Sequence, residues 1–312
     1  MAKQLSIGWV GAGGRMGFAM AKRLLDAGYA LTAYNRTRSK VEPLAQYGAK
    51  IVDSPKDLRG FDIVFTTVSA SDDLKAVCLG PNGLLDKSGS PKLIIDSSSV
   101  SEEASAEVRA AAAKLGVAML AAPVSGNAKV VAAGKLTIVA SGPKASFDIA
   151  QPYLAAIGAG VTYAGEGELA RMVKICHNLL LGTVAQSLAE ITVLAEKGGV
   201  PRSAFLEFIN NSVMGSPFSR YKTPAFVALD WTPTFTPVLL RKDLDLGLKA
   251  GKSLGVPLPV TQLTRDIVNK AVEAGHTDCD FAILLDLTAK AAGLELKPES
   301  VAVDDGLKKK TA

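Results

Sequence analysis

A short apolar run, Leu5 to Val10, feeds directly into Gly11-Ala12-Gly13-Gly14-Arg15-Met16-Gly17, and this junction restricts the fold more than any other stretch. A helical pattern follows at Met16, Ala19, Met20, Arg23 and Leu24 and stops at Gly28; a second apolar run covers Ala30 to Tyr34. Strand, glycine turn, helix and strand form the unit with which a parallel sheet holds a dinucleotide. Gly11 allows the tight turn. Gly13 and Gly14 let the backbone approach a pyrophosphate, and the helix start at Arg15 and Met16 offers N–H groups and a positive dipole end. The spacing, GxGxxxG, has one residue more than the usual form, and the same glycines could serve a purely structural turn. The flanking strands and helix favour the dinucleotide reading.

The end of the second strand selects the nucleotide. An acidic residue there would bind the ribose 2′-hydroxyl of NAD. This chain has Asn35-Arg36-Thr37, then Arg38. Arg36 offers a planar fork to a 2′-phosphate and Thr37 a hydroxyl, so the expected cofactor is NADP(H).

Strand and helix patterns keep alternating. Asp62 to Val68, Leu93 to Asp96, Val117 to Ala121 and Leu136 to Ala140 read as buried strands, and Pro55 to Leu58 as a short helix. The expected fold is α/β: an N-terminal Rossmann domain with a doubly wound parallel sheet over residues 1–164, then an all-α C-terminal domain over 165–296, joined by a long helix. In such sheets the ligand lies outside the carboxyl ends of the strands, where Val68, Ser98 and Ser99 stand. The two serines read equally as cofactor contacts or as helix caps. Ala122-Pro123-Val124-Ser125-Gly126-Asn127 follows another strand end; its turn either addresses a ligand or closes an Asx loop.

The long helix is read from Gly165 to Lys197. It is apolar around most of its circumference, so a domain or a partner subunit must cover it, and a homodimer or homotetramer is expected. Near its start Lys174 and Asn178, four apart, share a face. After it the pattern stays helical, at Pro201 to Ile209, Leu239 to Leu254, Pro259 to Ala274 and Asp280 to Ala292, while Asn210 to Asp230 reads as turn-rich. Residues 297–312, ending in Lys308-Lys309-Lys310, read as a frayed basic tail.

Composition narrows the function classes. With 48% hydrophobic and 21% charged residues and a formal charge of +5, no basic block falls inside the folded region, so neither nucleic acid nor a membrane is an expected partner. A small anionic substrate fits the mild positive charge. Three dispersed cysteines without CxxC, and a start without a cleavage pattern, point to the cytoplasm. Two histidines outside any ligand spacing point to no metal.

Four segments in order resemble the β-hydroxyacid dehydrogenases, the group that includes 3-hydroxyisobutyrate dehydrogenase and tartronate semialdehyde reductase. They are the IGWVGAGGRMG turn, APVSGN at 122–127, VKICHN at 173–178 and Lys242-Asp243-Leu244. The resemblance runs from about Ile7 to Gly293. It implies that Lys174 is the catalytic lysine and that Ser125, Gly126 and Asn178 hold the substrate, with Asn127 beside them. It sets Phe235 and Lys242 near the nicotinamide and matches Asp280 to a C-terminal motif. Departures from the family pattern are Ala121 for aspartate, Asn127 for glycine, and Glu168-Leu169-Ala170 for a GxG; they put substrate choice in question.

The implied activity is an oxidoreductase moving a hydride between NADP(H) and a small β-hydroxyacid or its semialdehyde partner. Hydride transfer to a carbonyl leaves an alkoxide that needs a proton or a positive charge, and a lysine ammonium supplies both. Partial burial near other cations lowers a lysine pKa, which opens both directions near neutral pH. His177 is read as a packing or supporting residue. Two alternatives stay open. Imine reductases resemble the family in fold but usually carry aspartate or tyrosine in place of the lysine. A non-catalytic NADP-binding regulatory protein would lack the lysine as well.

Overall fold

The computed structural model describes residues 5–307. The chain divides into two compact units, residues 1–174 and 175–312. In the first, the elements run β1 (Ile7–Val10), α1 (Arg15–Asp26), β2 (Leu31–Tyr34), β3 (Lys50–Ile51), β4 (Ile63–Thr66), α2 (Ser71–Leu79), β5 (Leu93–Asp96), α3 (Glu102–Lys114), β6 (Ala118–Ala121), β7 (Val124–Ser125), α4 (Ala128–Ala132), β8 (Thr137–Ser141), α5 (Lys144–Ile157) and β9 (Gly160–Gly165). Pro55–Leu58 is a single 3₁₀ turn. The sheet order is β3-β2-β1-β4-β5-β6-β8-β7, with β9 against β8. Strands β1 to β6 pair in parallel, whereas β8 runs antiparallel to β6 and β7.

Alternation along the strands shows why both faces are covered. Ile7, Trp9, Ile63, Phe65, Leu93, Ile95 and Leu120 point into one core with Met20 and Leu24 of α1 and Phe147 and Leu154 of α5. Their neighbours Val10, Val64, Ile94 and Met119 point into the other, with Leu74 and Cys78 of α2 and Val108 and Ala112 of α3. A strand buried on both sides needs apolar residues at every position, and helices must cap each face. Burial also pushes the Cys78 thiol far up, so it is an inert packing group.

The long helix, α6, spans Leu169–Lys197. By their contacts the two units part within this helix, after Lys174. The reason is a set of polar contacts that bind its first turns to the sheet unit. The Ala170 N–H donates to Ser141 Oγ at 3.0 Å, and Arg171, 2% exposed, pairs with Asp96, which is fully buried.

The second unit continues with α7 (Arg202–Asn211), α8 (Pro217–Ala228), α9 (Pro237–Leu254), α10 (Pro259–Glu273) and α11 (Leu284–Ala291). Its core gathers Ala185, Leu188, Ala189 and Val193 of α6 with Leu206, Phe226, Leu240, Leu244, Val268 and Leu285. Gly182 and Gly247 allow close helix packing: a Cβ on Gly247 would lie 2.2 Å from Leu179. The stretch 210–230, read as turn-rich, is largely the helix α8. Ser216 caps it, accepting the Ser219 N–H at 3.1 Å, with Pro217 at the first position, where no N–H is needed. Pro224 stands inside it and masked the helical pattern.

The segment after α11 is not a loose tail as far as residue 307. Arg202, fully buried, donates to the Lys297 carbonyl and pairs with Glu196 at 2.6 Å, and Glu299 accepts the Arg202 N–H at 2.8 Å. Lys308, Lys309 and Lys310 lie outside the described residues. By length and composition α6 could cross a bilayer; its Ala185, Leu188, Ala189 and Val193 pack in the core of the second unit.

Candidate active site

The parallel register aligns Val10, Tyr34, Thr66, Asp96 and Ala121 at one edge of the sheet. The candidates stand one or two residues beyond these ends: Gly11, Asn35, Val68, Ser98 and the 122–127 turn. Gly11 has φ +84°, and a Cβ there would lie 2.0 Å from the Thr67 carbonyl oxygen, so only glycine fits. A Cβ on Gly17 would lie 2.2 Å from the Gly11 oxygen, which seats α1 against the turn. A Cβ on Gly13 would collide with Asn35 at 2.6 Å. Asn35 in turn braces the turn, accepting the Gly13 N–H at 3.2 Å and donating to the Thr37 carbonyl at 2.9 Å. Gly14 caps α1 with no side chain, and Gly14 and Arg15 are exposed. A bare helix start over a glycine cradle is a built anion site, and these residues fit a dinucleotide pyrophosphate.

Arg36 is 84% exposed and reaches Asp73 at 3.1 Å. Arg38, by contrast, is held between Glu42 and Asp53. Thr37 is exposed beside them.

Of the two readings of Ser98, the helix cap falls away. The cap of α3 is Ser101, which accepts the Ala104 N–H at 3.2 Å. Ser98 is 1% exposed; its hydroxyl donates to Asp96 at 2.6 Å and accepts the Val68 N–H at 2.9 Å. It holds the β4 exit in place from behind. Ser99 is exposed at the sheet edge. Ser125 ends β7, and Gly126 follows with φ +132°. The side-chain oxygen of Asn127 accepts the N–H groups of Lys129 and Val130 at 3.0 and 3.1 Å. That departure from glycine therefore caps α4 through its oxygen, and the amide nitrogen takes no part in the cap.

On α6, Lys174 is half-buried and Asn178 is buried one turn further on. Asn178 is fixed at both ends of its amide. Its Nδ2 donates to Asp243 Oδ2 at 2.6 Å, and its Oδ1 lies 2.9 Å from His177 Nδ1. Asp243, 5% exposed, also faces Lys242 Nζ at 3.3 Å. The aspartate of Lys242-Asp243-Leu244 is thus what orients Asn178, a role that its sequence motif did not disclose. His177 contributes through the same amide.

Phe235 is positioned by Asp280, whose carboxylate accepts the N–H groups of Thr234 and Phe235 at 2.9 and 3.2 Å and pairs with the buried Lys222. Burial pushes the Asp280 carboxyl up, but the Lys222 ammonium, the Thr234 hydroxyl and the Ala282 N–H outweigh it and hold it below its ordinary range. Among the described residues no group of three or more His, Cys, Asp or Glu could hold a metal ion.

Two family models match the chain. Residues 6–165 match the NAD-binding domain of 6-phosphogluconate dehydrogenase, and residues 167–288 the NAD-binding domain of NADP-dependent 3-hydroxyisobutyrate dehydrogenase. The chain is similar to 2-(hydroxymethyl)glutarate dehydrogenase of Eubacterium barkeri, 34% identical over 91% of this chain and 95% of that one. It is similar to glyoxylate/succinic semialdehyde reductase 1 of Arabidopsis thaliana, 30% identical over 90% of this chain and 98% of that one. The crystal structure of 3-hydroxyisobutyrate dehydrogenase from Salmonella typhimurium superposes with a TM-score of 0.81 at 27% identity, over 91% of this chain and 99% of that one. With the glycine cradle, the 122–127 turn and the Lys174–Asn178 helix in family order, the chain belongs to the β-hydroxyacid dehydrogenase family.

Proposed function

We propose that the protein transfers a hydride between NADP(H) and a small β-hydroxyacid or its semialdehyde partner, with Lys174 as general acid and base. The observation that carries this reading is the pair Lys174 and Asn178, one helical turn apart, with Asn178 oriented by Asp243. The bound nicotinamide supplies or accepts the hydride at the carbinol carbon. In reduction, the carbonyl π electrons move to oxygen as the new C–H bond forms, and Lys174 Nζ gives that oxygen a proton. In oxidation, neutral Lys174 takes the hydroxyl proton as the C–H bond breaks. Asn178 cannot swing, because both ends of its amide are engaged, so it presents a fixed surface beside the lysine. Ser125 and Gly126 are assigned to the substrate carboxylate. Relatives named as dehydrogenases of hydroxyacids and reductases of semialdehydes support this class.

Preference for NADP(H) rests on Arg36, exposed at the end of β2, where Asn35-Arg36-Thr37 stands in place of the acidic residue that would bind a ribose 2′-hydroxyl. An exposed ion pair such as Arg36–Asp73 is worth about 0–1 kcal/mol, so a 2′-phosphate can take over the guanidinium.

The face of α6 opposite Asn178 supports an oligomer. Leu180 is 64% exposed and Leu194 72%, and Val184 and Ile191 stand on the same stripe. A second copy of the chain is the proposed cover, giving a dimer or a tetramer.

Three outcomes are expected. Replacing Lys174 by Ala lowers turnover by about 10²–10⁴-fold while NADPH binding survives, and Lys174→Arg does not rescue it, because arginine has no accessible neutral form. Steady-state kinetics with fluorescence titration of NADPH checks this; near-native turnover in Lys174→Ala contradicts it. Arg36→Ala weakens NADPH binding and leaves NADH binding nearly unchanged; tighter NADH than NADPH binding by the native protein rules the preference out. Sedimentation velocity at micromolar concentration gives a dimer or larger species, and a compact monomer contradicts the proposed cover.

A further inference from the structure

The residues just before Lys174 form a polar ladder that the reaction itself does not use. Arg171 is 2% exposed, and Asp96 is fully buried at the end of β5. The Arg171 guanidinium spreads over three acceptors and one further carboxylate. It pairs with Asp96 Oδ2, donates to the Ser98 carbonyl, donates from Nε to Ser105 Oγ at 3.3 Å, and faces Glu168 Oε2 at 3.7 Å. Glu168 extends the ladder, accepting from Arg109 Nε at 2.5 Å, and Arg109 donates to the Met119 carbonyl. The other oxygen of Asp96 accepts the hydroxyls of Thr66 and Ser98, both at 2.6 Å. One guanidinium therefore joins the first turn of α6 to the end of β5, and Asp96 carries the connection on to Thr66 at the end of β4.

This ladder occupies the positions where the family pattern has its GxG. Glu168 accepts from Arg109 and stands 3.7 Å from Arg171 as an ion pair, and Ala170 is fully buried with its N–H on Ser141. Both point into the sheet unit, so these two departures act on the anchoring of the helix.

We propose that Arg171 is a positioning residue for Lys174. The two are three apart on one helix, so fixing Arg171 fixes the height and rotation at which the Lys174 side chain leaves α6. Arginine suits the task because a planar fork can meet several acceptors at once, which a single ammonium cannot. The same clamp holds Ser98, and through its hydroxyl the Val68 N–H, so the lysine and the β4 exit keep one fixed relation. This inference rests on the reading of Lys174 as general acid and base.

The test uses the full-length protein with Arg171→Met and Arg171→Lys, each checked for native circular dichroism. Hydrogen exchange is followed on peptides spanning 168–178, and turnover, KM, the pH profile of kcat and the isotope effect with 4-deuterated NADPH are measured beside it. Arg171→Met is expected to lose protection in that segment and to lower kcat by about 10²-fold, the cost of a misplaced reacting group. KM for NADPH stays near native, the isotope effect rises and the pH profile shifts, which a loss of folded fraction would not produce. Arg171→Lys keeps the charge against Asp96 and recovers little; it carries the test if the Met variant does not fold. Near-native kcat per folded enzyme, or unchanged exchange, overturns the inference. If the native protein itself transfers no hydride, the proposed function fails; the exchange data then decide separately whether Arg171 anchors the segment.

Discussion

The ion pair of Arg171 with Asp96 is the constraint on which the candidate site depends. Two opposite charges, both removed from water, are held where β5 ends and α6 begins. Removing one partner strands the other, at a cost of about 3–5 kcal/mol. The first turns of α6 therefore cannot leave the sheet unit without losing a large part of a domain's stability. Such a pair adds little over an apolar replacement; its contribution is that only one arrangement satisfies it. The thiol of Cys78 and the apolar side chains on both sheet faces supply the cohesion, and the polar ladder supplies the alignment.

The same division of labour recurs in the second unit. Asp243 orients Asn178, and Asp280, held with Lys222, orients the backbone that carries Phe235. Each is a buried carboxylate that touches a residue assigned to the site and not the site's chemistry. Arg202 does for the C-terminal segment what Arg171 does for α6, gathering the Phe226, Val227 and Lys297 carbonyls with Glu196. Residues at the reacting centre need precise geometry, and locked neighbours behind them provide it.

Much of this was legible in the sequence, and the boundary of legibility has physical causes. Short apolar runs on either side of the glycine cluster disclosed β1, α1 and β2, because a buried strand and a tight turn are specified by adjacent residues. Lys174 and Asn178 stood out because polar groups four apart on an apolar helix need an explanation. Arg171, Asp96 and Asp243 did not stand out, because their partners are distant in sequence: Asp96 is 75 residues from Arg171, and Asp243 is 65 from Asn178. Glu168 and Asn127 looked like changes at a substrate surface. The Glu168 side chain serves an ion ladder whose partner Arg109 is 59 residues away, and the Asn127 oxygen also caps α4. The helix α8 was hidden by its own prolines, one harmless at the first turn and one tolerated inside.

The central claim is that this chain moves a hydride to and from the carbinol carbon of a small hydroxyacid. The most direct measurement follows the atom. Native protein is incubated with NADPH deuterated on either face of C4 and a panel of short semialdehyde acids, and the product acids are analysed by mass spectrometry. The account predicts that one of the two labelled forms delivers a single deuterium to the carbinol carbon of one or more products. Consumption of no semialdehyde, or product formed without label from either form, would contradict it.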